Sequence, residues 1–294
     1  MEKLIIQVRV NEGQLREVSP NVPYSPTEIA NQSIECWRKG ASIVHYHARE
    51  PETGAKSSDP ELYSDTVRQI KKESDIITFP TLGAAMTTTA RDRLAHIVQM
   101  AGDASTKPDC VPVDMGTTNL TRYDPSRKEF TGDGDQIYLN TTNILQALCI
   151  QTRAIGVTPV SMIWDPAGVR LTEAFQEMGL YQDPLLCELS LFGDPFRGLG
   201  TPGTVRGLQT SLDFFPPGSN WYWMANVVGG NAFPVLATAI ALGGHVAVGV
   251  ADYPYPELGY PTNAQLVGYV AEMARYMGRE VATAAEAREM LNMK

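Results

Sequence analysis

Two histidines and an arginine alternate in the stretch Ile43–Arg49, IVHYHAR. Along a β-strand the side chains of residues i, i+2 and i+4 share a face, so His45, His47 and Arg49 are expected to converge on one spot. Neutral imidazoles are good ligands for a borderline metal such as zinc. Catalytic zinc sites add a third protein ligand and leave a position for water or substrate. A pair of hydrogen-bonded histidines lining a barrel has the same spacing. A second stretch, Gly116–Leu120 (GTTNL), offers hydroxyl and amide groups able to bind a carbonyl or carboxylate, or else to cap a polar turn. In a third, Gln7, Arg9 and Asn11 alternate with Ile6, Val8 and Val10 and lead to Glu12, giving a strand with one polar and one apolar face.

The elements that must carry these residues follow a repeated grammar. Ser25, Pro26 and Glu28 read as a capping box with proline in the first turn, opening a helix to about Arg38 that Gly40 ends just before the HxH strand. After that strand, Ser58 or Asp59 followed by Pro60 opens a second helix to about Lys72. Further strands are read at Ile76–Thr81, Val111–Met115, Pro159–Trp164, Cys187–Phe192, Trp221–Val227 and His245–Val250, with helical patterns between most of them. Eight strands alternating with helices predict an α/β fold, a TIM (β/α)8 barrel in a single domain over residues 1–294, with a helical extension from about 262 to 294. An open doubly wound sheet is the alternative, and no G-x-G-x-x-G follows the first strand to support its dinucleotide-binding form. Barrel enzymes place their chemistry at the C-terminal ends of the strands, which is where the histidines fall. His245 opens the last strand at the opposite end and is expected to serve structure. In that strand Val246, Val248 and Val250 form one face, Ala247, Gly249 and Ala251 a small-residue face, and Asp252 closes it.

With 43% hydrophobic and 19% charged residues the composition is that of a globular protein, and the hydrophobic runs are too short or interrupted to span a bilayer. Twenty-four Lys and Arg against 33 Asp and Glu, the basic residues scattered, argue against nucleic acid as a partner. The N-terminus enters a strand without a signal-peptide pattern, and Cys36, Cys110, Cys149 and Cys187 form no C-x-x-C pair. Both features predict a cytoplasmic protein with reduced thiols.

The blocks PNVPYSPTEIA, KGASIVHYHAREPETGA, GTTNL, GGHVAVGVAD, NAQLVGYV and GREVATAAEAREML, in this order over nearly the whole chain, resemble the β-keto acid cleavage enzyme family, whose founding activity is 3-keto-5-aminohexanoate cleavage. The resemblance implies a TIM barrel with a divalent metal, usually zinc. It also implies acetyl-CoA as co-substrate, condensed with a β-keto acid to give acetoacetate and an acyl-CoA, and a homo-oligomer such as a tetramer. It maps the metal ligands onto His45 and His47 and the family's threonine and asparagine onto Thr117 and Asn119; Gly83, and Arg49 by its shared strand face with the histidines, are expected to meet the substrate too. Asp252 is then the residue that orients groups or relays protons. Glu12 falls at or near the position where the founding member holds its substrate's amino group.

Two departures stand out. The family's last strand carries R-V-G-x-E-D, its arginine working in the mechanism and its glutamate serving as third metal ligand; here those positions are Ala247 and Ala251. Pro80 stands at or next to a serine found in many members. Two histidines alone leave a metal site incomplete. Water or substrate could fill the gap, Glu12 or Asp252 could reach in, or the metal and the reaction could be lost. Arg9 could supply the cation that Ala247 lacks, or simply pair with a carboxylate inside the barrel. The alternatives to the family reaction are therefore a divergent lyase or hydrolase and a non-catalytic metabolite-binding barrel.

Overall fold

The structure is a computed structural model that describes residues 2–82, 89–131 and 136–293. Its eight parallel strands are β1 (Ile6–Arg9), β2 (Ile43–Tyr46), β3 (Ile77–Pro80), β4 (Cys110–Asp114), β5 (Thr158–Ile163), β6 (Leu186–Phe192), β7 (Tyr222–Val228) and β8 (His245–Val248). Spatial order follows chain order around the barrel from β4 through β8 to β1, β2 and β3. At the β3–β4 seam Asp109 replaces the ladder: its carboxylate accepts from the Thr78 amide at 2.7 Å and hydroxyl at 2.8 Å. The expected TIM barrel is the observed fold.

Helices α1 (Pro26–Arg38), α2 (Pro60–Glu73), α3 (Ala90–Ala101), α4 (Thr142–Ala154), α5 (Pro166–Glu177), α6 (Val205–Leu212), α7 (Phe233–Ala241) and α8 (Asn263–Tyr276) surround the sheet. The Ser25–Glu28 capping box forms, and Asp59 rather than Ser58 caps α2. No described helix is long and apolar enough to cross a membrane. Period-two patterning decides which side chains enter the barrel. Val246, Val248 and Val250 pack outward in the core beneath the helices, whereas Ala247 joins Ile43, Phe79, Met162 and Met224 inside. Gly249 is dictated by close approach, since a Cβ there would collide with the Arg9 carbonyl oxygen.

The last helix, α9 (Ala284–Met290), sits at the N-terminal end of the barrel, where Ala282, Ala287 and Leu291 join the inner cluster with Ile5 and Ile43. Backbone bonds join Leu4 to Glu280 and Ala282, and Arg288 reaches Asp109 at the seam at 2.6 Å. One feature absent from the sequence reading is an excursion after β4, where Thr118–Asn119 pairs with Ile137–Tyr138 and Arg122–Asp124 with Glu129–Thr131.

His245 is structural, as expected. Its Nδ1 accepts from the Ile5 amide at 3.0 Å and lies 3.4 Å from the Arg279 guanidinium, while the ring stacks on Tyr222. Burial, then the charge of Arg279, lowers its pKa from 6.5 to about 3. The unfolded chain therefore binds the extra proton first. The stabilisation is complete above about pH 6.5 and is lost as pH falls toward 3, by up to about 1.4 kcal/mol per pH unit. His245→Asn keeps an acceptor but no titration, and denaturant melts from about pH 7 to about pH 4 should show a shallower acid loss than wild type.

Candidate metal centre and its cavity

His45, on β2, and His47, just beyond its end, face the barrel mouth and are 3% and 5% exposed. The His45 Nδ1 lies 2.8 Å from the Phe79 carbonyl oxygen, which can only accept. That bond fixes the tautomer and leaves the Nε2 lone pair aimed at Glu12 Oε2, 3.1 Å away. His47 Nε2 lies 3.0 Å from Glu12 Oε1, and neither of its ring nitrogens makes a hydrogen bond. Burial, with Lys56 and His45 nearby, holds His47 down to about 3, so its imidazole is neutral. Glu12, His45 and His47 offer ligand atoms within 4.8 Å of one another, and this is the one such group among the described residues. Lone pairs and a carboxylate converging without enough protons between them fit a bound cation. Two histidines with one carboxylate are also a donor set that catalytic zinc sites use.

Glu12 is held in place from two sides. Arg49 is buried and donates to the backbone carbonyls of Asn11, Glu12, Gln14 and Gly54 at 2.6 to 3.2 Å. The expectation that Arg49 meets substrate therefore gives way to a clamp on the loop that carries Glu12: strand geometry ends at Tyr46, and the guanidinium turns into the loop. Asn11 completes the scaffold, its side-chain oxygen accepting from the His47 amide and its nitrogen donating to the His47 carbonyl.

Arg9 stands beneath, inside a ring of acids. Its Nε donates to Asp252 at 3.1 to 3.2 Å, and its two terminal nitrogens donate to Glu188 and Glu12 at 2.7 Å each. Burial opposes the Arg9 charge, but Asp252, Glu12 and Glu188 together hold its pKa above the ordinary value. Burial likewise opposes the Glu12 charge, and the Arg9 guanidinium 2.7 Å away helps to outweigh it, keeping Glu12 well below the usual carboxylate range. Asp252 is pushed up to about 7 by burial and by Glu12 and Glu188, against the pull of Arg9. The Arg9 cation is paired rather than free.

The triad opens into a cavity of about 350 Å³ at the C-terminal mouth. Lys56, Arg93, Asp114, Tyr138 and Trp164 line it and were not singled out in the sequence. Position parity was the signal available for two of them: Asp114 ends β4 and Trp164 follows β5, both on inward registers. The acid in LCELSLF, Glu188, carried the same signal. Thr117 and Asn119 are exposed and do not line this cavity; Thr117 accepts from the Asn140 amide, the turn-capping reading of GTTNL. Gly83 lies outside the described residues.

A parallel barrel with two imidazoles and a carboxylate gathered at its C-terminal mouth has the layout of a metal-assisted barrel enzyme. The chain belongs to the beta-keto acid cleavage enzyme family, whose profile matches residues 3–293. It is 30% identical over 298 residues to the 3-keto-5-aminohexanoate cleavage enzyme of Fusobacterium nucleatum, covering 100% of this chain and 99% of that protein. It is also 30% identical to the 3-dehydrocarnitine:acetyl-CoA trimethylamine transferase of Rhizobium meliloti, over 96% of this chain and 93% of the relative. Among solved structures, apo ObcA shares the fold with a TM-score of 0.73 at 18% identity, over 93% of this chain and 66% of that one.

Arg49→Met should leave carbonyls of the Glu12 loop without donors and lower stability by roughly 3 kcal/mol in denaturant melts. It should also raise hydrogen exchange in residues 11–14. A change under about 0.5 kcal/mol, the size of an ordinary surface substitution, would contradict the clamp.

Proposed function

We propose that this protein cleaves a β-keto acid with acetyl-CoA as co-substrate, using a divalent metal held by Glu12, His45 and His47. The observation that carries the proposal is the convergence of these three ligand atoms, with both His47 ring nitrogens unpartnered, in the cavity of a barrel of this family. In the net reaction the bond between C2 and C3 of the β-keto acid breaks and the carboxymethyl fragment bonds to the acetyl carbon. CoA sulfur leaves the acetyl group and takes the remaining acyl group, so acetoacetate and an acyl-CoA form without redox change or net proton transfer. The metal when bound supplies Lewis acidity toward the keto and carboxylate oxygens. Zinc suits the donor set.

The chain's own residues do the rest. Glu12 replaces the missing carboxylate at position 251, entering from the loop after β1 instead of from β8. Arg9 positions Glu12 and keeps it ionised, and Glu188 and Asp252 hold Arg9 in turn. Asp252 is the proton-relaying group of this set. Cytoplasmic location suits four cysteines that are free and buried, and assembly as a homo-oligomer belongs to the same proposal.

Purified enzyme should carry stoichiometric zinc, and a His45→Ala, His47→Ala double variant should lose it. Glu12→Ala should weaken zinc binding by more than the roughly 10- to 100-fold typical of residues behind the ligands, whereas Asp252→Asn should stay within that range. Acetoacetate should form only when a β-keto acid and acetyl-CoA are both supplied. Formation without acetyl-CoA would point to the divergent lyase, and a metal-free native protein would point to the binding barrel.

A further inference from the structure

Resting on the reaction just proposed, we infer that the acyl side chain of the β-keto acid is uncharged and apolar. It packs against a wall formed by Leu120, Trp164, Phe192, Phe196 and Val228, across the cavity from the Glu12–His45–His47 group. The wall is continuous. Ring centroids stand 5.3 Å apart from Trp164 to Phe192 and 6.4 Å from Phe192 to Phe196, with Tyr138 5.6 Å from Trp164. It is also built rather than draped: the Thr201 amide donates to the Trp164 carbonyl, the Phe192 amide to Thr201, and the Gly193 amide to Val228, all at 2.8 to 2.9 Å. A Cβ at Gly200 would collide with the Trp164 carbonyl oxygen, so glycine there lets the loop lie flat on the strand end. A preformed apolar surface of this kind favours burial of carbon and gives nothing to a charge.

The polar groups of the cavity point the same way. Glu12 has one oxygen on Arg9 and His45 and the other facing His47. Asp114 accepts the Tyr138 hydroxyl at 2.5 Å, and the Arg93 guanidinium lies 4.8 Å from the Tyr138 ring centroid. Burial raises Asp114 above its ordinary value. An ammonium on the substrate would thus meet Lys56, Arg93 and Arg122 and find both cavity-lining carboxylates already engaged. Of the cavity's cations, Lys56 lies 4.0 Å from Glu12 Oε1 at the ligand group, Arg122 stands on an exposed position over the Phe196 ring at 5.1 Å, and the buried Arg93 donates to Asn140 at 2.6 Å with its Nε unpartnered, a place for the carboxylate that every β-keto acid carries rather than for a charge on the wall. Relatives are named for amino- and trimethylamine-bearing substrates. In this chain the carboxylate oxygens of Glu12 face Arg9, His45 and His47.

The test compares kcat/KM for 3-oxooctanoate, 3-keto-5-aminohexanoate and 3-oxoadipate with the purified holoenzyme and acetyl-CoA. It also follows quenching of tryptophan emission by the unreactive 3-hydroxyoctanoate. The expected order puts 3-oxooctanoate about a hundredfold or more ahead of both charged acids, since one methylene in an apolar pocket already discriminates about tenfold. Quenching should disappear in Trp164→Phe. Phe196→Ala should cut the preference ratio about tenfold, and Val228→Glu should move it toward the amino acid substrate. Acetoacetate forming fastest from either charged acid would overturn the apolar assignment and leave the reaction standing. If no acid yields acetoacetate but 3-hydroxyoctanoate still quenches through Trp164, the reaction fails and the apolar pocket stands. Absence of quenching with all three acids turned over equally would overturn the pocket.

Discussion

One carboxylate faces an arginine and two imidazoles at once. Glu12 does so from a loop, with its ionised form secured by Arg9 at 2.7 Å and its position by a guanidinium that grips the loop's carbonyls. A buried charge is costly unless it is paired and hydrogen-bonded. The interior of the barrel mouth is arranged around that cost: Glu188 and Asp252 answer Arg9, Arg9 answers Glu12, and Gln7 donates to Glu188 at 2.8 Å. Removing any one partner would strand another in low dielectric.

Ala247 on β8 is small, and so is Ala251 just past its end. An acid at 251, next to Asp252 in the chain, would add another negative charge beside a cluster that already holds Glu12, Glu188 and Asp252. The small residues of this stretch and the β1 strand beside it fit closely. Gly249, which has no room for a Cβ beside Arg9, belongs to the same fit. The first strand, which carries Arg9 and leads to Glu12, is the last strand's neighbour in the barrel.

The barrel was legible because period-two strands and capped helices alternate so regularly; Ser25 with Glu28 and Thr283 with Glu286 mark helix starts that the structure reproduces. The HxH pair was legible for the same reason. Arg49 was not, because the i, i+4 argument holds only while the backbone stays extended, and here the strand stops before it. Thr117 and Asn119 were placed by resemblance, and the excursion after β4 carries them away from the cavity that Leu120 and Tyr138 enter. Glu12 could be named as a possible third ligand, but its reach depends on a loop conformation set by tertiary bonds from Arg49. The aromatic wall draws on the ends of β5, β6 and β7 and on the excursion, so only the closed barrel brings it together.

The seal at the bottom of the barrel has a consequence for how the chain becomes a protein. Leu4 bonds to Glu280 and Ala282, and Lys3 pairs with Glu286 across 283 residues of sequence. The strand carrying Arg9 thus waits for the last helix to be made before its own end is fastened. Contacts so distant in sequence are entropically late to form. The approach to the first strand and the last described helix are therefore also a clasp: they lie side by side, and the ring they complete is the one that holds the chemistry at the far mouth.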